Sequence, residues 1–136
     1  MIKINIDKQI CSGCRACEAI CSLCHEGTVN PLYARLKIVK HEETGEDIPA
    51  LCLQCTSAPC AEVCPQGAIE FNKKTGAWIV SEEECIGCGL CVNACNFDMI
   101  QIHPQKNIAF KCDYCGGDPQ CVKHCQLKAL TIEITK

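Results

Sequence analysis

Apolar and polar positions alternate at both ends of the chain, with Ile2, Ile4 and Ile6 at one and Leu130, Ile132 and Ile134 at the other. A period of two predicts half-buried strands there. Shorter apolar stretches at Trp78, Ile79 and Val80 and at Ile108, Ala109 and Phe110 predict two more. Polar turns at residues 72–76 and 103–107 separate Phe71 from Trp78 and Ile102 from Ile108, so these strands are expected in small antiparallel hairpins. Leu36, Lys37, Ile38 and Val39 precede an acidic turn at 41–47, and residues 25–51 read as a hairpin-like insertion that joins other parts. A plain surface connector is its default role. No run approaches the roughly eighteen consecutive apolar residues of a membrane span, so direct membrane insertion is not expected.

Cysteine changes this picture. The chain has 136 residues, too few for a large core and a separate active site, yet 17 are cysteine. They fall into four repeats. Cys11-x2-Cys14-x2-Cys17-x3-Cys21 and Cys85-x2-Cys88-x2-Cys91-x3-Cys95 share one spacing. Cys52-x2-Cys55-x4-Cys60-x3-Cys64 and Cys112-x2-Cys115-x5-Cys121-x3-Cys125 are stretched versions. Only Cys24 stands outside. Residues 1–9 carry no apolar signal region and no twin arginine, which makes a reducing cytoplasm the expected address and metal binding a better reading than disulfides. The odd cysteine count also argues against complete pairing. A formal charge of -3 with scattered Lys and Arg gives no support for nucleic-acid binding.

A Cys-x2-Cys-x2-Cys loop wraps a cubane and delivers three thiolates to three corners; a distant cysteine completes the fourth. In two-cluster ferredoxin patterns that fourth cysteine comes from the other motif, so motifs work in pairs. Zinc prefers two separated Cys-x2-Cys knuckles and leaves the middle cysteine of each tight triplet unexplained. Four 4Fe-4S clusters are therefore expected. The two terminal strands each need a partner, and pairing them antiparallel joins the first motif to the fourth and leaves the second with the third. The predicted ligand sets are Cys11, Cys14, Cys17 and Cys125; Cys21, Cys112, Cys115 and Cys121; Cys52, Cys55, Cys60 and Cys95; and Cys64, Cys85, Cys88 and Cys91. Pairing of sequence neighbours is the alternative. The expected fold class is α+β: two bacterial-type dicluster ferredoxin-like lobes related by a pseudo-twofold, with short helices and small antiparallel hairpins. One lobe takes residues 1–24 and 107–136, the other 52–106, with 25–51 as the connecting insertion. Each motif's last cysteines suit one or two helical turns, and the metal-free chain is expected to be largely unfolded.

The segments CSGCRACEAICSLCHEG, Asn30-Pro31, Ala34-Arg35 and KCDYCGGDPQCVKHC resemble the four-cluster ferredoxin-like electron-transfer subunits of molybdenum and tungsten oxidoreductases. The resemblance covers nearly the whole chain. More narrowly it is similar to the small subunits of tungsten aldehyde oxidoreductases and tungsten-type benzoyl-CoA reductases. It implies an anaerobic, cytoplasmic relay that is not itself an enzyme and that passes single electrons to or from a large catalytic subunit carrying a tungsten or molybdenum pterin. A further flavin/NAD or ferredoxin electron partner fits the same scheme. It also implies the pairing of first motif with fourth and second with third. Electron-transfer proteins of carbon monoxide dehydrogenase and hydrogenase systems look similar, and a free polyferredoxin or a zinc-stabilised interaction module are competing readings. Only Cys64 is followed by proline; Ser22, Asn96 and Gln126 follow Cys21, Cys95 and Cys125, so different turns are expected there.

Other residues weigh less. Cys24, where related subunits more usually carry histidine, reads first as a free thiol and second as an alternative ligand. His124 reads as an outward-facing helical residue before a proton relay. Arg15 reads as a solvated charge before a tuner of the first cluster. Trp78, Phe71, Phe97 and Tyr114 read as packing before an electron path. No phosphate-binding loop stands in a strand-to-helix context, so nucleotide and flavin sites are not expected.

Overall fold

The computed structural model describes residues 1–134; residues 135 and 136, assigned above to the lobe of both termini, lie outside the described residues. Its elements are short: β1 (Ile2–Ile6), α1 (Ala16–Glu26), β2 (Lys37–His41), β3 (Glu46–Ala50), α2 (Pro59–Glu62), β4 (Ile69–Asn72), β5 (Ala77–Val80), α3 (Leu90–Ala94), β6 (Gln101–Ile102), β7 (Ala109–Phe110), α4 (Gln120–His124) and β8 (Leu130–Ile134). Single 3-10 turns lie at Pro31–Tyr33 and Tyr114–Gly117. The described strands form four two-stranded antiparallel sheets, β1 with β8, β2 with β3, β4 with β5 and β6 with β7. This is a small mixed α and β fold of few helices and small sheets.

β1 pairs with β8 from Ile2 opposite Ile134 to Ile6 opposite Leu130, so the two chain ends carry the first and fourth cysteine motifs to the same place. Ile4 and Leu130 point inward from that ribbon and Ile132 and Ile134 stay exposed. Phe71 stands opposite Trp78 in the β4–β5 hairpin, and Ile102 opposite Ala109 in the β6–β7 pair. α1 packs on α4, and α2 on α3.

The first motif departs from the expected one or two turns. α1 runs for 11 residues, because Ala19, Ile20 and Leu23 continue a helical sequence past Cys21 and Gly27, at φ 74°, ends it by donating its N–H to the Leu23 carbonyl. Consequently His25 and Glu26, assigned above to the insertion, belong to this helix. Glu18 on α1 is buried, and its carboxylate accepts the Ile38 N–H, tying the helix to β2.

Among the described residues, buried apolar side chains gather in two clusters. One unites Ile4, Leu36, Ile38, Leu51 and Leu130 with Cys17, Cys21, Cys112 and Cys121. The other centres on Ile69, Cys91, Ile100 and Ala109. In both, thiols occupy positions that larger proteins fill with hydrocarbon. None of the described helices is long and apolar enough to cross a membrane.

Candidate iron-sulfur sites

Each cysteine loop has a left-handed residue at one common place. Gly13, Gln54, Gly87 and Tyr114 hold the same place, immediately before the second cysteine of the four motifs, and all have φ between 50° and 73°. This bends the chain so that neighbouring cysteines face one centre. A second recurrent turn follows the fourth cysteine: Gly67, Asp98 and Lys128, each three residues beyond it, have φ of 60°, 54° and 61°. Cys64, Cys95 and Cys125 are therefore followed by alike turns with or without proline, contrary to the difference expected from sequence. A left-handed third residue, available at modest cost to Asp and even Lys, makes the bend. Only Ser22 differs, because α1 continues through it.

Four cavities result. The first is lined by Cys11, Cys14, Cys17 and Cys125 and encloses about 340 Å³. The second is lined by Cys21, Cys112, Cys115 and Cys121. The third, of about 130 Å³, is lined by Cys52, Cys55, Cys60 and Cys95. The fourth is lined by Cys64, Cys85, Cys88 and Cys91. The second and fourth are narrow, about 10 and 20 Å³. Metal–thiolate bonds of about 2.3 Å are far shorter than van der Waals contacts, so iron bound to these sulfurs would sit inside distances that exclude a solvent molecule. Each cavity thus draws three cysteines from one motif and one from another. Cys24, exposed on α1, lines none of them.

Main-chain donors point at several of the thiols. The N–H groups of Arg35, Gln54, Ala68, Ala109 and Met99 lie 3.2, 3.5, 3.3, 3.3 and 3.4 Å from Sγ of Cys21, Cys52, Cys64, Cys85 and Cys95. Such bonds favour a thiolate over a thiol. Burial acts the other way and pushes the Cys17 and Cys112 thiols up to about 12, with Cys21, Cys60, Cys91, Cys115 and Cys121 also raised by burial. Buried thiols of this kind ionise only against strong positive charge, which a coordinated metal supplies. Four convergent sulfurs with aimed N–H groups are a donor set that fits an iron-sulfur group.

Around the second cavity the structure adds residues that sequence reading passed over. His25 Nε2 lies 3.6 Å from Cys115 Sγ and 3.8 Å from Asp113 Oδ1, and Arg35 Nη1 lies 3.4 Å from Asp113 Oδ2. Burial lowers the His25 pKa, and Arg35 lowers it further. His25, Asp113 and Cys115 offer ligand atoms within 4.8 Å of one another, but Cys115 already faces the second cavity, which His25 and Arg35 also line, with Asp113 bridging them outside it. The weighed residues are simply placed. Arg15 pairs with Glu18 at 3.3 Å. His124 is exposed, with Nδ1 2.8 Å from the Gln120 carbonyl of its own helix. Trp78 donates its Nε1–H to the Cys55 carbonyl at 2.9 Å and packs against Phe71 at 5.3 Å.

Sulfur-lined cavities built by repeated cysteine loops define an iron-sulfur protein, and the comparisons agree. A family model described as the LdpA Fe-S cluster-binding domain matches residues 49–106. The polyferredoxin-like subunit of the aliphatic sulfonate oxidoreductase of Pyrococcus furiosus is 44% identical over 91% of this chain and 70% of its own. The thiosulfate reductase electron transfer subunit PhsB of Salmonella typhi is 31% identical over 91% and 71%. Among solved structures, the active-site complex BamBC of benzoyl coenzyme A reductase with benzoyl-CoA contains a chain that superposes at a TM-score of 0.58, with 28% identity over 98% of this chain and 79% of that one. The chain belongs to the family of polyferredoxin-like iron-sulfur subunits that transfer electrons in oxidoreductase complexes.

Proposed function

We propose that this chain holds four 4Fe-4S clusters on sixteen cysteines and relays single electrons to or from a large catalytic subunit carrying a tungsten or molybdenum pterin. The observation that carries the reading is the convergence of four cysteines on each of four cavities. Bound there, the clusters supply reversible one-electron chemistry. The chain's own residues supply thiolates and direct N–H groups at sulfur.

A linear order is supported by shared elements. Cys17 and Cys21 of the first and second sets sit on α1, and Cys121 and Cys125 lie in and just after α4. The third and fourth sets likewise share α2 and α3, through Cys60 and Cys64 and through Cys91 and Cys95. Cys14 and Cys88, in the first and fourth sets, are exposed and mark the two ends where electrons enter and leave. Two dicluster lobes, residues 1–24 with 107–136 and residues 52–106, follow from the same grouping.

The motif resemblance supports a tungsten or molybdenum pterin partner of the aldehyde oxidoreductase kind. The sulfonate oxidoreductase relative makes an aliphatic sulfonate a second substrate class to assay. Anaerobic purification of the native assembly tests both halves of the proposal. About sixteen iron and sixteen acid-labile sulfide per chain are expected, together with a co-purifying large subunit containing tungsten or molybdenum. Zinc without sulfide refutes the cluster reading, and a fully loaded chain migrating alone refutes the subunit reading in favour of a free polyferredoxin.

A further inference from the structure

Lys111 is 3% exposed, and its ammonium lies where the second and third cysteine sets meet. It precedes Cys112 of the second set and lines the cavity of the third. Nζ is 2.9 Å from Gln54 Oε1, 2.5 Å from the Trp78 carbonyl and 2.9 Å from the Cys112 carbonyl. Three acceptors require three N–H donors, which only the protonated amine has. Gln54 is built to hold it. This residue sits between Cys52 and Cys55, and its Oε1 also accepts the Trp78 N–H at 2.8 Å while its Nε2 donates to the Cys112 carbonyl at 2.8 Å.

All three acceptors of Lys111 are neutral, and among the described residues no carboxylate lies within ion-pair distance of it. A buried cation with only neutral partners is costly unless anionic charge stands nearby. The sixteen Asp and Glu side chains, all among the described residues, make no ion pair with it, whereas a 4Fe-4S group with four thiolates carries about -2 when oxidised and about -3 after accepting one electron. The Lys111 charge already opposes the burial that pushes the Cys60 and Cys112 thiols up.

We propose that the Lys111 ammonium, clamped by Gln54 and two carbonyls, is a fixed positive charge that raises the reduction potentials of the two inner iron-sulfur groups. The proposal rests on the cluster reading above. Lys111 attracts the reduced form more strongly than the oxidised form, so it lowers the energy of an electron halfway along the chain. The electron comes from the outer group on one side and leaves to the outer group on the other, with no bond made or broken and no proton required. Lys111 is a positioning charge and touches no substrate.

The test is an anaerobic redox titration, followed by electron paramagnetic resonance, of the native complex with wild-type chain, Lys111→Gln, Lys111→Met and Lys111→Arg. In the two neutral variants, one or two midpoints are expected to fall by at least tenfold in the one-electron equilibrium, which is about 59 mV, while the others stay and Lys111→Arg restores them. Unchanged midpoints in fully loaded neutral variants overturn the proposal. Should the neutral variants load less iron, Lys111→Arg decides: full loading at wild-type potentials supports a charge that the clusters need, and equal loss overturns it in favour of packing. Absence of iron and sulfide from the wild-type chain is a different result, which sinks the cluster reading itself.

Discussion

Gly87 shows how narrowly a single backbone position limits a cluster loop. It precedes Cys88 at φ 73°, and a Cβ there would strike the Asn107 carbonyl oxygen, which cannot swing away as a side chain would. Gln54 and Tyr114 occupy the equivalent places with side chains, at a backbone cost of roughly 1–2 kcal/mol each. Each has a use: the Gln54 amide holds Lys111, and the buried Tyr114 fills the larger apolar cluster. Gly87→Ala is therefore expected to displace Cys88 and lose about four of roughly sixteen iron, leaving the remainder bound. Iron and sulfide assays on the reconstituted variant check this, and undiminished loading would show that the loop yields. The sixteen cysteines are legible in the sequence because their spacing is local. Lys111, His25 and Arg35 are not, since their partners lie 33, 90 and 76 positions away and no spacing rule connects them.

At the scale of elements, alternation was a good guide to the strands and a poor one to helix length. β1 and β8 span the alternating residues read from sequence, and their antiparallel pairing, though not its register, could be inferred because each lacked another partner. The length of α1 was hidden by the motif itself, which draws attention to Cys21 as an end when the capping signal is Gly27. That extra length places Glu26 beside the β6–β7 hairpin. His103 in that hairpin is 3% exposed, accepts the N–H groups of Gln105 and Lys106 at Nδ1, both at 3.1 Å, and sets Nε2 3.1 Å from Glu26 Oε1. Its ring stacks on Tyr33 at 4.8 Å. Two accepted N–H bonds leave the proton on Nε2, which lies close to the Glu26 carboxylate without hydrogen-bond alignment. His103→Leu preserves the bulk but strands the N–H groups of Gln105 and Lys106, while Glu26 keeps Lys106 at 3.3 Å, a loss of about 1–3 kcal/mol. A lower Tm by calorimetry is expected with unchanged iron content, because His103 lines none of the four cysteine cavities.

For the molecule as a whole, the supply of hydrocarbon decides what happens when the metal leaves. The largest fully buried side chains are Leu36, Ile100, Leu130, Pro119 and Ser22, a small core for a chain of this length, and the buried thiols of Cys17, Cys21, Cys91, Cys112 and Cys121 share the interior with them. Without a metal the buried thiols must stay protonated, and this sets the direction of the pH response. Cys112 is pushed from 9.0 up to about 12 in the folded arrangement, while the same thiol ionises near 9.0 in an unfolded chain. Above pH 9 the unfolded state therefore binds fewer protons than the folded one, so stability present below 9 is lost progressively towards 12, by roughly 4 kcal/mol for this group. The loaded protein has the opposite slope, because its thiols are already ionised against metal and acid, not base, competes for them. Stripping iron with a chelator under reducing conditions is expected to abolish most of the strand and helix signal at pH 7, and raising the pH to 11 to remove what is left, while the loaded protein keeps its spectrum across the same range. Circular dichroism with parallel iron assays decides the matter: a stripped chain that stays folded and indifferent to alkali would mean that hydrocarbon alone holds the fold, and that the cysteines line a structure they do not create.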